Sequence, residues 1–227
     1  MERQPTRSDY KQVWTALSDT LDRAKMHVSG FLDEELVAAS ARKTVKGLQD
    51  TVGILPEDVV LEIGCGMGRV GLFVAPLCRR WIGCDVSTNM LGFAAERLRN
   101  LPNVELKEIS GYKLEGISNE SVDVVYCTVV FMHLESWDRY AYVLEAMRVL
   151  KPRGRLYVDN VNICSDGGWQ VFEAHRAFPP TDRPPHMTEC STPQELEVYL
   201  TRAGFRDIRL QDDDVFVRAW GRKSDPA

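Results

Sequence analysis

Three glycines at alternate positions, Gly64, Gly66 and Gly68, follow directly on the apolar run Val59–Ile63, with Glu62 set just before them. Glycine tolerates positive φ and has no side chain, so backbone there can come close to a ligand. A helix opening after such a loop offers free N–H groups to an anionic group such as a carboxylate. Taken alone, the loop also reads as a tight strand-to-helix turn. Asp85 ends a second apolar run, Trp81-Ile-Gly-Cys84, and stands 21 positions beyond Gly64. That is the spacing at which a second parallel strand presents a carboxylate to a ribose. The dinucleotide fingerprint needs a third Gly or Ala at position 69, and Arg69 is there instead. The chemistry implied is the holding of a nucleotide-type ligand with an ionic end.

The elements that must position these residues alternate. Residues 8–26 are helix-compatible, with Val13, Trp14, Leu17 and Leu21 near one face, and residues 33–53 form a second helical stretch. Strand candidates are 59–63, 80–84, 104–108, 122–128 and 155–159, and helix candidates between them are 69–78, 87–99 and 136–150. Such alternation predicts a parallel sheet with right-handed crossovers. Ser87 or Asp85 can cap the helix at 87, and Pro152 with Gly154 punctuates the passage into the fifth strand. After 159 the pattern lapses into a stretch, 160–191, rich in Gly, Pro, Asp and aromatic residues, which reads as a lid. Thr192-Pro-Gln-Glu195 then starts a helix ending at Gly204, with Thr192 as cap and Glu195 completing a capping box. Strands 205–211 and 215–221 form a hairpin about Asp212-Asp213-Asp214.

Val60–Gly68 with Asp85 resembles the first two motifs of the class I S-adenosylmethionine-dependent methyltransferases. Ser121–His133 and the run Arg148-Val-Leu-Lys-Pro-Arg-Gly-Arg-Leu156 resemble that family's fourth- and fifth-strand motifs. The likeness covers roughly residues 35 to 222 and is greatest to the small-molecule, type 11-like group. It implies an α/β fold, a Rossmann-like seven-stranded, mainly parallel sheet with helices on both faces and a C-terminal antiparallel hairpin. It implies residues 1–54 as a helical cap, 55–222 as the S-adenosylmethionine-binding domain with a substrate lid at 160–191, and 223–227 as a tail.

Under that resemblance Gly64, Gly66 and Gly68 wrap the amino-acid portion of S-adenosylmethionine. Glu62 orients the backbone or receives the cofactor ammonium, or else braces the loop. Asp85 accepts from both ribose hydroxyls, and Met90 lies on the adenine face or in the helical core. Arg42 meets the cofactor carboxylate or is a surface residue. The chain departs from the family after the third strand: Glu108-Ile-Ser110-Gly111-Tyr112 has no acid at the usual place, so Ser110 or a backbone carbonyl accepts from the adenine amino group, with Gly111 and Tyr112 beside it. Ligands bind beyond the carboxyl ends of strands, which puts Thr128, Val129 and His133 at the border of cofactor and acceptor. His133 is a candidate general base, or packs on the cofactor or bonds the lid. Asp159, Asn160 and Asn162, with Trp169 and His186 of the lid, are acceptor-binding candidates; turn chemistry is the rival for the first three. His175 and Glu173 are weaker candidates, and Tyr10 and Trp14 cover the pocket or staple the first helix.

With 33 acidic and 28 basic side chains the net charge is −5, and no long basic run favours nucleic acid. No apolar stretch reaches membrane-spanning length, and residues 1–7 lack the apolar core of a signal peptide. The six cysteines include no CxxC pair and read as reduced thiols rather than a disulfide frame or zinc site. The expectation is a cytoplasmic enzyme, monomer or homodimer, without a metal. It methylates an oxygen, nitrogen or carbon atom of a small molecule and releases S-adenosylhomocysteine. A protein or peptide acceptor, a nicotinamide-dependent oxidoreductase and a non-catalytic cofactor-binding module are the alternatives.

Overall fold

The computed structural model describes residues 10–225 except Pro185, and of Tyr10 only the backbone, so the role considered for that side chain lies outside the described residues. Three helices come first: α1 (Tyr10–Leu17), α2 (Leu21–Ser29) and α3 (Glu34–Thr51). The single helix expected over 8–26 is two. Thr20 takes an extended backbone and its hydroxyl accepts from Arg23 N at 3.3 Å, restarting the chain as an N-cap.

β1 (Val59–Ile63), β2 (Arg80–Asp85) and β3 (Val104–Glu108) follow, joined by the short α4 (Gly71–Val74) and by α5 (Thr88–Leu98). β1 and β3 both lie parallel to β2, with Val59 opposite Arg80 and Trp81 opposite Val104. All five residues of β1 are buried, as a strand covered on both faces must be, and this is why it reads as an unbroken apolar run around Glu62. The helix expected over 69–78 shrinks to one turn, because Pro76 tightens the chain into a 3₁₀ turn at Ala75–Leu77. One turn adds few aligned peptide dipoles, so the anion-holding macrodipole expected after the loop is small.

β4 (Val122–Cys127), α6 (Ser136–Val149) and β5 (Leu150–Val161) come next, with β5 parallel to β4. β5 begins five residues before the expected strand: Pro152 and Gly154 mark an irregularity in the β4 pairing, with Arg153 at φ 65°, rather than a break. The stretch expected to be irregular holds a helix, α7 (Asp166–Arg176). Gly167 and Gly168 in its first turn hide it from propensity, yet packing demands them. A Cβ on Gly168 would strike the Asn162 carbonyl, and one on Gly167 would strike that of Asp214. α8 (Pro193–Ala203) is capped by Thr192, whose hydroxyl accepts from Glu195 N at 3.2 Å, and ends at Gly204. β6 (Arg206–Asp212) and β7 (Phe216–Arg222) form the expected hairpin, its turn held by Asp213 Oδ1 accepting from Val215 N and Phe216 N. β7 runs antiparallel to β5, and the strand order is β3-β2-β1-β4-β5-β7-β6.

The chain groups into two compact units. One runs to Glu115 without Thr51–Gly53; the other consists of Thr51–Gly53 and the chain from Gly116 onward.

Candidate active site

In the first unit the glycine loop is backbone-built. Gly64, Gly66 and Gly68 have φ of 71°, 52° and 74°, a region closed to most side chains. Gly64 N and Cys65 N both donate to the Cys84 carbonyl, at 2.8 and 2.9 Å, tying the loop to the end of β2. Asp85 completes the tie. Its Oδ2 accepts from Gly66 N at 2.8 Å and its Oδ1 from Ser87 N at 2.9 Å. A carboxylate offers about four acceptor sites, so capacity remains beside these N–H groups for a ligand hydroxyl. Burial raises the Asp85 carboxyl above the usual carboxylate range, against the pull of the N–H groups of Ser87, Gly66 and Val86. Ser87, not Asp85, caps α5, accepting from Met90 N at 3.3 Å.

Glu62 is buried one residue before the loop. Met90 is buried in an apolar cluster with Ala24, Val37 and Met67, and its sulfur lies 4.0 Å from where a Gly66 Cβ would stand. Ser110 presents a buried hydroxyl with no hydrogen-bond partner. Such a group costs free energy unless a ligand satisfies it. Its own N–H donates to Glu115 Oε2 at 3.2 Å, so a carboxylate is brought to this turn from five residues downstream. Gly111 is buried beside it and Tyr112 is exposed. Arg42 is exposed, its guanidinium 5.1 Å above the Phe73 ring.

Sequence reasoning used Arg69 only to exclude a fingerprint. The structure buries it, with Nε donating to the Val28 carbonyl at 3.2 Å and Nη1 to Ser40 Oγ at 3.4 Å. It thus joins the loop to α2 and α3. Val28 fills the space a Gly66 side chain would need. α1 is anchored in the same way: Ser18 Oγ meets Ser87 Oγ at 2.8 Å, Asn89 Nδ2 donates to the Thr15 carbonyl at 2.9 Å, and Lys11 pairs with Glu108. Trp14 stands edge-on to His27, ring centres 6.3 Å apart, within these helices.

In the second unit the candidates gather beyond β4 and β5. Thr128 is buried. Val129 has φ 59°, a strained conformation for a β-branched residue, and its N–H donates to Asp159 Oδ1 at 2.7 Å. His133 Nδ1 lies 3.0 Å from the His186 carbonyl. A carbonyl only accepts, so that contact places the ring proton on Nδ1 and makes Nε2 the basic nitrogen. Asn160 and Asn162 serve the chain itself. Asn160 Nδ2 donates to Ser191 Oγ at 2.6 Å and to the Glu189 carbonyl at 3.2 Å, and Asn162 Oδ1 accepts from Cys164 N at 3.0 Å. Trp169 is half exposed and stacked on Phe172 with ring centres 5.1 Å apart.

Arg139 of α6 organises this region, and nothing in the sequence singled it out. It is buried at 2% exposure. Its guanidinium donates to the carbonyls of Phe131 (2.9 Å) and Glu189 (2.8 Å), to Ser191 Oγ (2.9 Å) and to Glu195 Oε1 (3.0 Å). One side chain therefore fixes the 3₁₀ turn that carries His133, the end of the lid and the start of α8. Glu195 is drawn to Arg139 and Tyr199 in place of the capping-box bond expected of it. Arg139 leaves no spacing signal because three of these four partners lie 50 or more residues away in sequence.

With this geometry in view, residues 60–154 match the family model described as a methyltransferase domain. The chain is 29% identical over 212 residues to the glycine/sarcosine/dimethylglycine N-methyltransferase of Actinopolyspora halophila, covering 86% of this chain and 35% of that protein. It is 27% identical over 183 residues to the Homo sapiens thiol S-methyltransferase TMT1A, covering 78% of this chain and 72% of that one. The solved phosphoethanolamine N-methyltransferase 1 of Haemonchus contortus, in complex with phosphoethanolamine and S-adenosylhomocysteine, superposes with a TM-score of 0.68 at 19% identity, over 97% of this chain and 49% of that one. The chain spans about a third of the length of the first of these relatives. The family match spans under half of the chain, and the seven-stranded fold is the one shared with solved S-adenosylmethionine-dependent methyltransferases. Among the described residues no helix is long and apolar enough to cross a membrane, and no three His, Cys, Asp or Glu side chains gather to hold a metal ion.

Proposed function

We propose that this chain binds S-adenosylmethionine on the loop and strand ends of its first unit and transfers the methyl group to a nucleophilic atom of a small molecule. The observation that carries the reading is the Asp85–Gly66 clasp together with the orphaned Ser110 hydroxyl. A carboxylate at the end of β2 with acceptor capacity left and a buried hydroxyl wanting a donor fit the ribose hydroxyls and the adenine amino group. The positive-φ loop at Gly64, Gly66 and Gly68 gives the amino-acid end a backbone wall, with Glu62 bracing it. Met90 and Tyr112 flank the adenine, and Arg69 in place of Arg42 supplies the buried cation of the loop.

A sulfonium methyl is already activated when bound, so the chain's own work is to bind, align and remove a proton. Thr128 and Val129 limit the reacting end, with Asp159 holding the Val129 backbone in its strained form. His133, its proton kept on Nδ1 by the His186 carbonyl, takes a proton on Nε2 from an acceptor that carries one. Asn160 and Asn162 are positioning residues that set the lid, while Trp169 and His186 shape the acceptor side. The N- and S-methyltransferase relatives support a compact acceptor, and residues 128–133 and 159–191 choose it.

Calorimetric titration with S-adenosylhomocysteine, and with NADH as its rival, tests the donor; binding of NADH and not of S-adenosylhomocysteine would end the reading. Labelled-methyl transfer into a metabolite extract tests turnover. Cofactor binding without any labelled product would favour a binding module.

A further inference from the structure

Within the second unit a cleft of about 240 Å³ opens on the sheet face, lined by Thr51, Arg155, Asp207, Arg209, Trp220 and Arg222 among others. Cross-strand register brings three of the cations and the indole together. Arg155 lies opposite Arg222, and Trp220 opposite Arg209, so these four side chains share one face of β5, β7 and β6. Like charges set opposite one another in a sheet are destabilising. Arg155 Nη1 donates to the Val52 carbonyl at 3.3 Å. Among the described residues no carboxylate forms an ion pair with Arg209 or Arg222, although acidic side chains outnumber basic ones over the chain. β6 is irregular between Arg206 and Arg209, and Asp207 there has φ 52°. Such irregularities re-aim side chains, and they recur where a sheet meets a ligand.

We infer that this cleft is a second binding site, for a sugar phosphomonoester that bears a single planar ring, of the pyrimidine nucleoside monophosphate class. Guanidinium forks match phosphate oxygens two at a time, and a phosphate dianion offsets the repulsion that the strand pairing builds in. The ring packs on the Trp220 indole. The volume lies below the range of about 300–1,000 Å³ usual for larger ligands, which admits a phosphate with one ring system and not a dinucleotide. The site is separate from the acceptor candidates: Arg155 and Asp159 point to the same face of β5 four residues apart, roughly 13 Å along the strand. The inference stands apart from the methyl-transfer reading.

The probe is uridine 5′-monophosphate, which carries no adenine and so does not mimic the methyl donor. It is titrated calorimetrically into the full chain beside uridine and inorganic phosphate. The expected result is saturable binding of the nucleotide that weakens steeply with salt, weaker binding of phosphate, and none of uridine. The double variant R209A/R222A should bind it at least tenfold more weakly and melt no lower than the parent, since two repelling charges are gone. Should that variant fail to fold, R209K/R222K keeps the charge and loses the forks, and a several-fold loss is expected. Absence of saturable nucleotide binding at millimolar concentration overturns the site. So does equal affinity in parent and variants, or binding of uridine as tight as of its phosphate.

Discussion

The loop region at 62–110 and the region at 128–191 hold their candidate residues by opposite means. In the first, groups close in sequence or on neighbouring parallel strands meet through backbone: Asp85 clasps Gly66 and Ser87, and the Cys84 carbonyl takes two loop N–H groups. In the second, side chains from distant segments converge on one buried cation, Arg139, whose partners lie at 131, 189, 191 and 195. A backbone-built site leaves a regular spacing in the sequence, whereas a side-chain hub does not. Under the proposed function, the difference predicts that mutation can divide donor binding from acceptor handling.

Arg139→Leu should give the largest effect. It leaves the Phe131 and Glu189 carbonyls, Ser191 Oγ and the Glu195 carboxylate without their donor, a loss of about 3–5 kcal/mol for a broken buried pair. The expected outcome is a large drop in the urea midpoint and loss of turnover, with S-adenosylhomocysteine affinity retained below the new midpoint. If cofactor affinity and turnover fell together, the two regions would not be separable. Gly168→Ala probes the same region more gently. Its methyl meets the Asn162 carbonyl, and overpacking of this kind costs roughly 1–3 kcal/mol. Thermal melting should fall and cofactor affinity should hold; an unchanged melting temperature would show that α7 yields freely.

The same contrast explains what the sequence made legible. The glycine loop, Asp85, the strand alternation and the final hairpin were readable because each depends on a period or a fixed spacing. α7 was not, since Gly167 and Gly168 argue locally against a helix while Asn162 and Asp214 require them. β5 was read short because Pro152 and Gly154 mark an irregularity in pairing, which propensity cannot tell from a break. Arg69 and Arg139 look like any surface arginine until the fold buries them. The Val129–Asp159 bond and the His133–His186 contact join residues 30 and 53 positions apart, beyond any motif.

Asp85→Ala addresses the first region. Loss of the ribose acceptor should weaken S-adenosylhomocysteine binding by about 1–3 kcal/mol, and calorimetry showing no change would remove Asp85 from the site. The carboxyl's raised pKa adds a signed pH test. A carboxyl raised by folding contributes stability that is full below its unfolded value and is lost as pH rises through the folded one. Ribose hydroxyls donate to the ionised form, so cofactor affinity should rise with pH across that window, above the usual aspartate value, and then level off. An affinity flat from acid to neutral pH would contradict the assignment.

Ser110→Ala is the smallest and most specific of these changes. In the chain by itself the hydroxyl is buried without a partner, so removing it relieves a cost rather than breaking a bond, and stability should hold or rise slightly. Under the proposed function the same change should remove the acceptor for the adenine amino group, a loss of about 0.5–1.5 kcal/mol in binding. The sign therefore differs between stability and binding, which a packing role would not produce. A ligand with hypoxanthine in place of adenine presents no amino donor. The parent should prefer S-adenosylhomocysteine over that analogue, and the variant should lose the preference. If the preference survives the substitution, the amino group is read elsewhere on this turn, and the Glu115 carboxylate that meets Ser110 N at 3.2 Å becomes the residue to change next.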